Sequence, residues 1–286
     1  MTSNENSSKI PYHFPGDETF SHYLRSRLGF ASLMLLTVTT LSTPVLAEES
    51  QIEVSLDLPV VSAYVWRGME INDDWVLQPS LTLAYQGFSF NLWGNMDLTD
   101  FGEDYCTYTS DCDSRAGQFT EIDLTIAYNH SFDTFSLGIG LIDYLYPNWD
   151  NSSDTQEIYI SGSFDVLLQP SLTVSYDFNA LDAFYANFGI GHSFAFTDSL
   201  GLDLSSSIGY GDSDYNSGNF GSADSAFVDF NVGISMPYKA TENISIIPML
   251  TLTTLLDSNI RDSIENNAYG NDDTYVYGGV NVSFSF

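Results

Sequence analysis

Alternation constrains this chain more than any other feature. In its last residues Val276, Val280, Val282, Phe284 and Phe286 alternate with Tyr277, Asn281, Ser283 and Ser285. The same period of two recurs at Phe88, Phe90, Leu92, Met96 and Leu98, with Ser89, Asn91, Asn95 and Asp97 between them. Ile122, Leu124, Ile126 and Tyr128 repeat it against Glu121, Asp123, Thr125 and Asn129, as do Leu200, Leu202 and Leu204 against Asp203 and Ser205. Successive side chains of a strand point to opposite faces, so each run predicts a strand with one apolar and one polar face. No segment after residue 47 reads as a helix.

About twelve such runs are predicted, near residues 52–65, 76–85, 88–98, 119–130, 135–146, 157–165, 169–178, 184–196, 200–210, 225–236, 244–255 and 273–286. Short connections alternate with long ones rich in Asp, Asn, Ser and Gly, at residues 99–118, 147–156, 211–224 and 256–272. A soluble sandwich has no reason for that rhythm. A transmembrane barrel has short periplasmic turns and long external loops, and closure leaves no unpaired edge in the hydrocarbon. The expected fold is therefore a single all-β antiparallel transmembrane barrel over residues 48–286. Trp66, Trp75, Tyr85, Tyr144, Tyr146, Trp149, Tyr159 and Tyr176 fall near strand ends and suit interfacial girdles. The stretch LQPSLTLAY at residues 77–85 returns as LQPSLTVSY at 168–176, with a fainter echo at 247–253. The strand count sends the first two in opposite directions, so they read as a local strand-entry rule. Pro79, Pro170 and Pro248 are expected at entries, where a missing N–H is tolerated.

The N-terminal part reads differently. Arg25 and Arg27 precede the apolar run LGFASLMLLTVTTL, and Val45 and Ala47 follow as small residues at minus three and minus one. That order predicts a signal peptide at residues 24–47, after a polar extension at residues 1–23. The run is short for a spanning helix. The secretory route takes the chain to the bacterial outer membrane, where the expected partners are lipid and, through the terminal strand ending on Phe286, the barrel assembly machinery.

Charge excludes one class of partner. Seven Lys and Arg face 38 Asp and Glu, a formal net charge of −31, and after Ala47 only Arg67, Arg115, Lys239 and Arg261 remain as strong cations. Nucleic acid needs its phosphates neutralised and is excluded. Disorder is disfavoured by an aromatic content of 15%.

SAYVWRGMEINDDWVLQPSLTLAY resembles the opening of the TorF-like family of bacterial outer-membrane porins, in which an early strand ends in a Tyr-x-aromatic-Arg-Gly element. Here these residues are Tyr64, Trp66, Arg67 and Gly68. SFDVLLQPSLTVSYDF resembles the same group's tight turn running into a Pro-led strand. The resemblance implies a small porin without an assigned substrate.

Candidate site residues follow from strand phase. Glu53, Asp57, Asp97, Glu121, Asp123, Asp203 and Asp229 fall on the interior phase, where carboxylates either favour cations or form part of a solvated, unselective lining. Arg67 either pairs with a carboxylate at the mouth or is a rim residue. Gly138, Gly140, Gly189, Gly191 and Gly209 share the inner face, and Trp93, Tyr185 and Tyr277 are expected to fill part of it. Cys106 and Cys112, with five residues between them and in an oxidising compartment, suit a disulfide. The acidic loop stretches at 150–154, 211–218 and 270–273 lack EF-hand spacing and read as solvated loops. His130 and His192 each stand beside a Ser, but neighbours in a strand point apart, so neither pair forms a hydrolase couple. No catalytic, metal or cofactor residue is assigned, and the chain is not expected to be an enzyme. Two readings remain: a small passive channel for neutral or cationic hydrophilic solutes, or a non-conducting structural or interaction barrel with acidic surface loops.

Overall fold

The computed structural model describes residues 52–99, 116–147, 154–265 and 272–286. The predicted signal peptide, Trp149, Arg115 and the Cys106–Cys112 pair lie outside the described residues. Strands run as β1 (Glu53–Val61), β2 (Tyr64–Trp66), β3 (Met69–Asn72), β4 (Val76–Leu77), β5 (Ser80–Tyr85), β6 (Phe88–Asp97), β7 (Phe119–Ser131), β8 (Phe135–Leu145) and β9 (Thr155–Phe164). They continue as β10 (Ser171–Asp177), β11 (Ala183–Ala195), β12 (Gly201–Gly211), β13 (Ala226–Ser235), β14 (Tyr238–Lys239), β15 (Ile244–Leu255) and β16 (Thr274–Ser285). Two helices are α1 (Ser213–Phe220) and α2 (Ser258–Glu265).

Every neighbouring pair is antiparallel, and β1 pairs with β16 through Ser55–Ser285 to Val61–Gly279. Counting β4 and β5 as one interrupted strand and setting aside the two-residue β14, the wall is a closed barrel of 12 strands. Phase decides which face goes where. Leu137, Ile139, Leu141, Ile158, Ile160, Phe188 and Ile190 are exposed on the outside, whereas Asn95, Thr125, Glu157, Asp229 and Thr253 are buried within. An apolar exterior on a closed sheet is the arrangement a bilayer requires, because every backbone group is paired within the wall. Stacked Phe132 and Phe135, with Phe164 beside them, mark the rim where β1 starts and β16 ends. The pairs Tyr176–Phe184 and Tyr210–Phe227 mark the opposite rim.

The two copies of the repeated stretch, in β4–β5 and β10, are separated by five antiparallel steps and run in opposite directions. Pro79 sits in the break between β4 and β5, and Pro170 stands just before β10. Pro248 differs from expectation: it lies inside β15, opposite Val280, where its carbonyl still accepts from the Met236 N–H at 3.0 Å.

Three further expectations are corrected. The first strand does not run on to residue 65; it ends at Val61, and Tyr64–Trp66 turns away to pair with Met69–Asn72 in a separate two-stranded sheet. Two loops contain helices. Asp212 caps α1 by accepting from the Tyr215 N–H at 2.8 Å, and Gly221 ends it in the left-handed conformation. Asp257 likewise accepts from the N–H groups of Asn259 and Ile260 at the start of α2. Finally, Trp66, Tyr144 and Tyr159 face the interior rather than a girdle. Their strand phase, and for Trp66 the inserted hairpin, outweighs their position near strand ends.

Candidate functional site: a plugged mouth

The connection between β1 and β4, residues 62–75, begins with a hairpin folded into the outer end of the barrel. Its turn is Arg67–Gly68, with φ of +46° and +87°. A two-residue turn with both central φ positive suits the twist of a hairpin. Gln86–Gly87 turns β5 into β6 with nearly the same angles. Gly68 is needed twice over. Its φ disfavours a side chain, and a Cβ there would lie 2.7 Å from Leu255 Cδ2 and 2.9 Å from Asp229 Cβ.

From this tip Arg67 reaches the inner wall. Nη1 and Nη2 donate to Oε1 and Oε2 of Glu157 on β9 at 2.8 and 2.7 Å. The fork is almost enclosed, the two side chains being 10% and 5% exposed. The guanidinium carbon also lies 4.5 Å from the Trp66 ring centre and 4.4 Å from that of Tyr185, distances at which a cation is attracted by the ring face. Tyr144 donates to Glu157 Oε2 at 3.1 Å, and Trp66 meets the Tyr144 ring edge-on. Burial pulls the Arg67 guanidinium down, but the Glu157 carboxylate, with Tyr144 and Tyr215, more than offsets it; Arg67 stays charged and above its usual range.

The other expected residues fall around this point at different depths. Asp229 is fully buried beside the hairpin tip, accepting from the Tyr185 hydroxyl at 2.9 Å and from Asn231 Nδ2 at 2.6 Å. Gly209 makes room for it, since a Cβ there would strike both Asp229 and the Tyr185 hydroxyl. Glu121 accepts from Tyr64 of the hairpin at 2.8 Å. Burial pushes the Tyr64 phenol up, helped by Glu121 and Asp123. Asp97 is a structural anchor: Asn72 and Asn95 donate to it at 2.9 and 3.1 Å, tying the hairpin base to β6. Asp57 accepts from Asn281 across the β1–β16 seam at 2.8 Å. Glu53 and Asp203 lie near the other rim, at the starts of β1 and β12, and do not join the cluster.

Above the fork the mouth is roofed by an apolar cluster. Tyr215 and Phe220 of α1, Ile260 and Ile264 of α2, and Ala183, Tyr185, Val228 and Leu255 of the wall pack together, with Trp66 and Met69 of the hairpin against them. A second cluster joins Val61, Tyr64 and Val76 to Trp93, Ile71 and Met249. At the edge of the hairpin Glu70 is raised from 4.5 to about 7, by burial first and then by Asp73 and Asp272.

Sequence reasoning missed Glu157, although Ile158 and Ile160 on the outer face fix its inward phase. Thr155, two residues away, donates to Asp177 at 2.8 Å, and Asp177 also accepts from the N–H groups of Asn179, Ala180 and Leu181, closing the β10–β11 turn.

Residues 46–249, well over half of the chain, match the family described as "Bacterial protein of unknown function (Gcw_chp)". The chain belongs to this family. The family's description assigns no activity. No curated protein matches the chain. Among solved structures, a NanC porin is similar with a TM-score of 0.51 and 11% identity, over 80% of this chain and 98% of that one. A KdgM porin aligns with a TM-score of 0.49 and 13% identity, over 81% and 99%. An outer-membrane channel of the COG4313 group from Pseudomonas putida gives 0.47 and 10%, over 87% and 100%. At these identities the likeness concerns the fold: a porin-like outer-membrane barrel. That fold, with its apolar belt, places this Gcw_chp member in the bacterial outer membrane.

Proposed function

We propose that this barrel is a porin-like passive channel for small neutral or cationic hydrophilic solutes, constricted at its outer mouth by the hairpin of residues 62–75. The observation that carries the reading is the inner wall itself. Glu121, Asp123, Glu157 and Asp229 line it with buried carboxylates, and Arg67 is the one cation on it among the described residues. Such a lining lowers the energy of a cation and raises that of an anion. Asn91 Oδ1, Asp123 Oδ1 and Thr125 Oγ1, close together on the β6–β7 register, have no donor among the described residues. Membership of the TorF-like group, whose Tyr-x-aromatic-Arg-Gly element coincides with the hairpin, belongs to the same proposal. So does recognition of β16, ending on Phe286, by the assembly machinery. The absence of catalysis is also part of it: His130 and His192 sit on outward phases, edge-on to Phe132 and Phe194 at 4.6 Å.

The test is conductance of refolded protein in planar bilayers under a salt gradient. A reversal potential of the sign for cation preference supports the reading, and anion preference overturns it. The apolar roof favours a second reading, a closed barrel that presents acidic loops to a partner. No conductance from either the intact protein or a hairpin-deleted form would establish that one instead.

A further inference from the structure

We propose that the mouth contains a guanidinium-binding box, filled in the closed barrel by Arg67 and available to guanidinium-bearing solutes when the hairpin lifts. Its fixed walls belong to four elements other than the hairpin: Glu157 on β9, Tyr144 on β8, Tyr185 on β11 and Tyr215 on α1. Two features make it selective for a guanidinium. The carboxylate receives a two-pronged fork at 2.8 and 2.7 Å, and the same flat cation lies over the Tyr185 ring at 4.4 Å with the Tyr215 ring at 5.8 Å. An ammonium ion is a point charge without a fork or a plane, and sodium has neither. The turn does not explain Arg67. Positive φ at this position favours Asn, Asp or Gly, and an Arg held there points to a role for its side chain. Gly68 lets the tip seat against Asp229 and Leu255, so the hairpin delivers a guanidinium to the box as a tethered ligand. A free solute of the same chemistry, such as arginine or a short arginine-containing peptide, competes for the same walls.

The transport meaning of the box rests on the channel reading; the binding does not. The experiment uses the full-length R67A variant refolded in detergent, with guanidinium chloride, methylammonium chloride and sodium chloride as probes at matched low concentration. Guanidinium alone is expected to raise the thermal midpoint of R67A, the rise setting in near ~1–10 mM, the range of a weak single-site ligand. Wild type, its box already filled, does not respond, and R67A/E157Q loses the response. If R67A does not fold unaided, the yield of heat-shifted barrel on a gel after refolding with each probe reads the same preference. Equal effects of guanidinium and methylammonium, or an undiminished response in R67A/E157Q, overturn the proposal. In bilayers the same guanidinium concentration is expected to reduce the current through R67A pores by occupying the box in their mouth. A binding response without conductance leaves the box and removes the channel. Conductance without a guanidinium-specific response leaves the channel and removes the box.

Discussion

The two ends of the barrel interior are built from the same strands and are lined differently. Toward the rim where β1 starts and β16 ends, the inner wall carries small or short polar groups: Ser80, Thr82, Asn91, Gly138, Ser161, Ser171, Gly189 and Ser205. Side chains there bond across neighbouring strands, as Asn91 does to Ser80 and Thr82 at 2.8 Å. Toward the outer rim the wall carries Trp93, Tyr144, Tyr185, Tyr275 and buried acids, and the hairpin and both helices pack against them. A narrow barrel leaves little room beyond its own side chains, so what is added at one end decides whether it is a passage. The lower half is lined with short residues that bond to one another across strands. The upper half is held shut by long-range contacts that cluster on Arg67.

That contrast can be broken most directly by replacing residues 63–74 with a short turn. Single-channel conductance is then expected to rise several-fold while heat-dependent gel mobility is kept; unchanged conductance would mean that the hairpin is not the constriction. The next effect in size comes from Glu157→Ala. It strands an enclosed arginine charge, a change that costs on the order of 3–5 kcal/mol, to be read from urea unfolding in detergent. A loss below about 1 kcal/mol would place the Arg67 fork in the class of exposed pairs. Gly68→Val forces a branched side chain into a positive φ and against Leu255 and Asp229. About 1–3 kcal/mol of strain is expected to unseat the tip and raise the open fraction without unfolding the wall.

The smallest effect is a pH dependence. Glu70 has a folded value of about 7 against 4.5 when unperturbed. The seated hairpin therefore binds that proton more tightly than a released one. Its contribution is complete below about pH 4.5 and is lost as pH rises to about 7. Open probability is expected to increase across that window and to flatten in Glu70→Gln. Because Glu70 is partly solvated, the slope is modest; a slope of the opposite sign would rule out its role.

The barrel was legible in the sequence because its information is local. Each strand announces its two faces by alternation, and all twelve runs match wall strands. The inward acids Asp97, Glu121, Asp123 and Asp229 followed from phase alone. Legibility failed where a local pattern has two tertiary uses. Tyr64–Trp66 continues the alternation of β1 as well as it forms a hairpin arm, and only the pairing with Met69–Asn72 distinguishes them. The helix caps Asp212 and Gly221 are also local signals, but α1 lacks an apolar stripe, and its loop-like composition hid them.

What the sequence by itself determined is the barrel: strand count, face assignment and an acidic lining, all consequences of a side-chain period of two. What only the tertiary structure decided is that this barrel is closed at one end, and by which residue. Arg67 and Glu157 are 90 positions apart and belong to unrelated local patterns. Their meeting depends on how the wall curves, which way the hairpin turns and how closely Gly68 approaches Asp229. None of these is encoded in the period of any single strand.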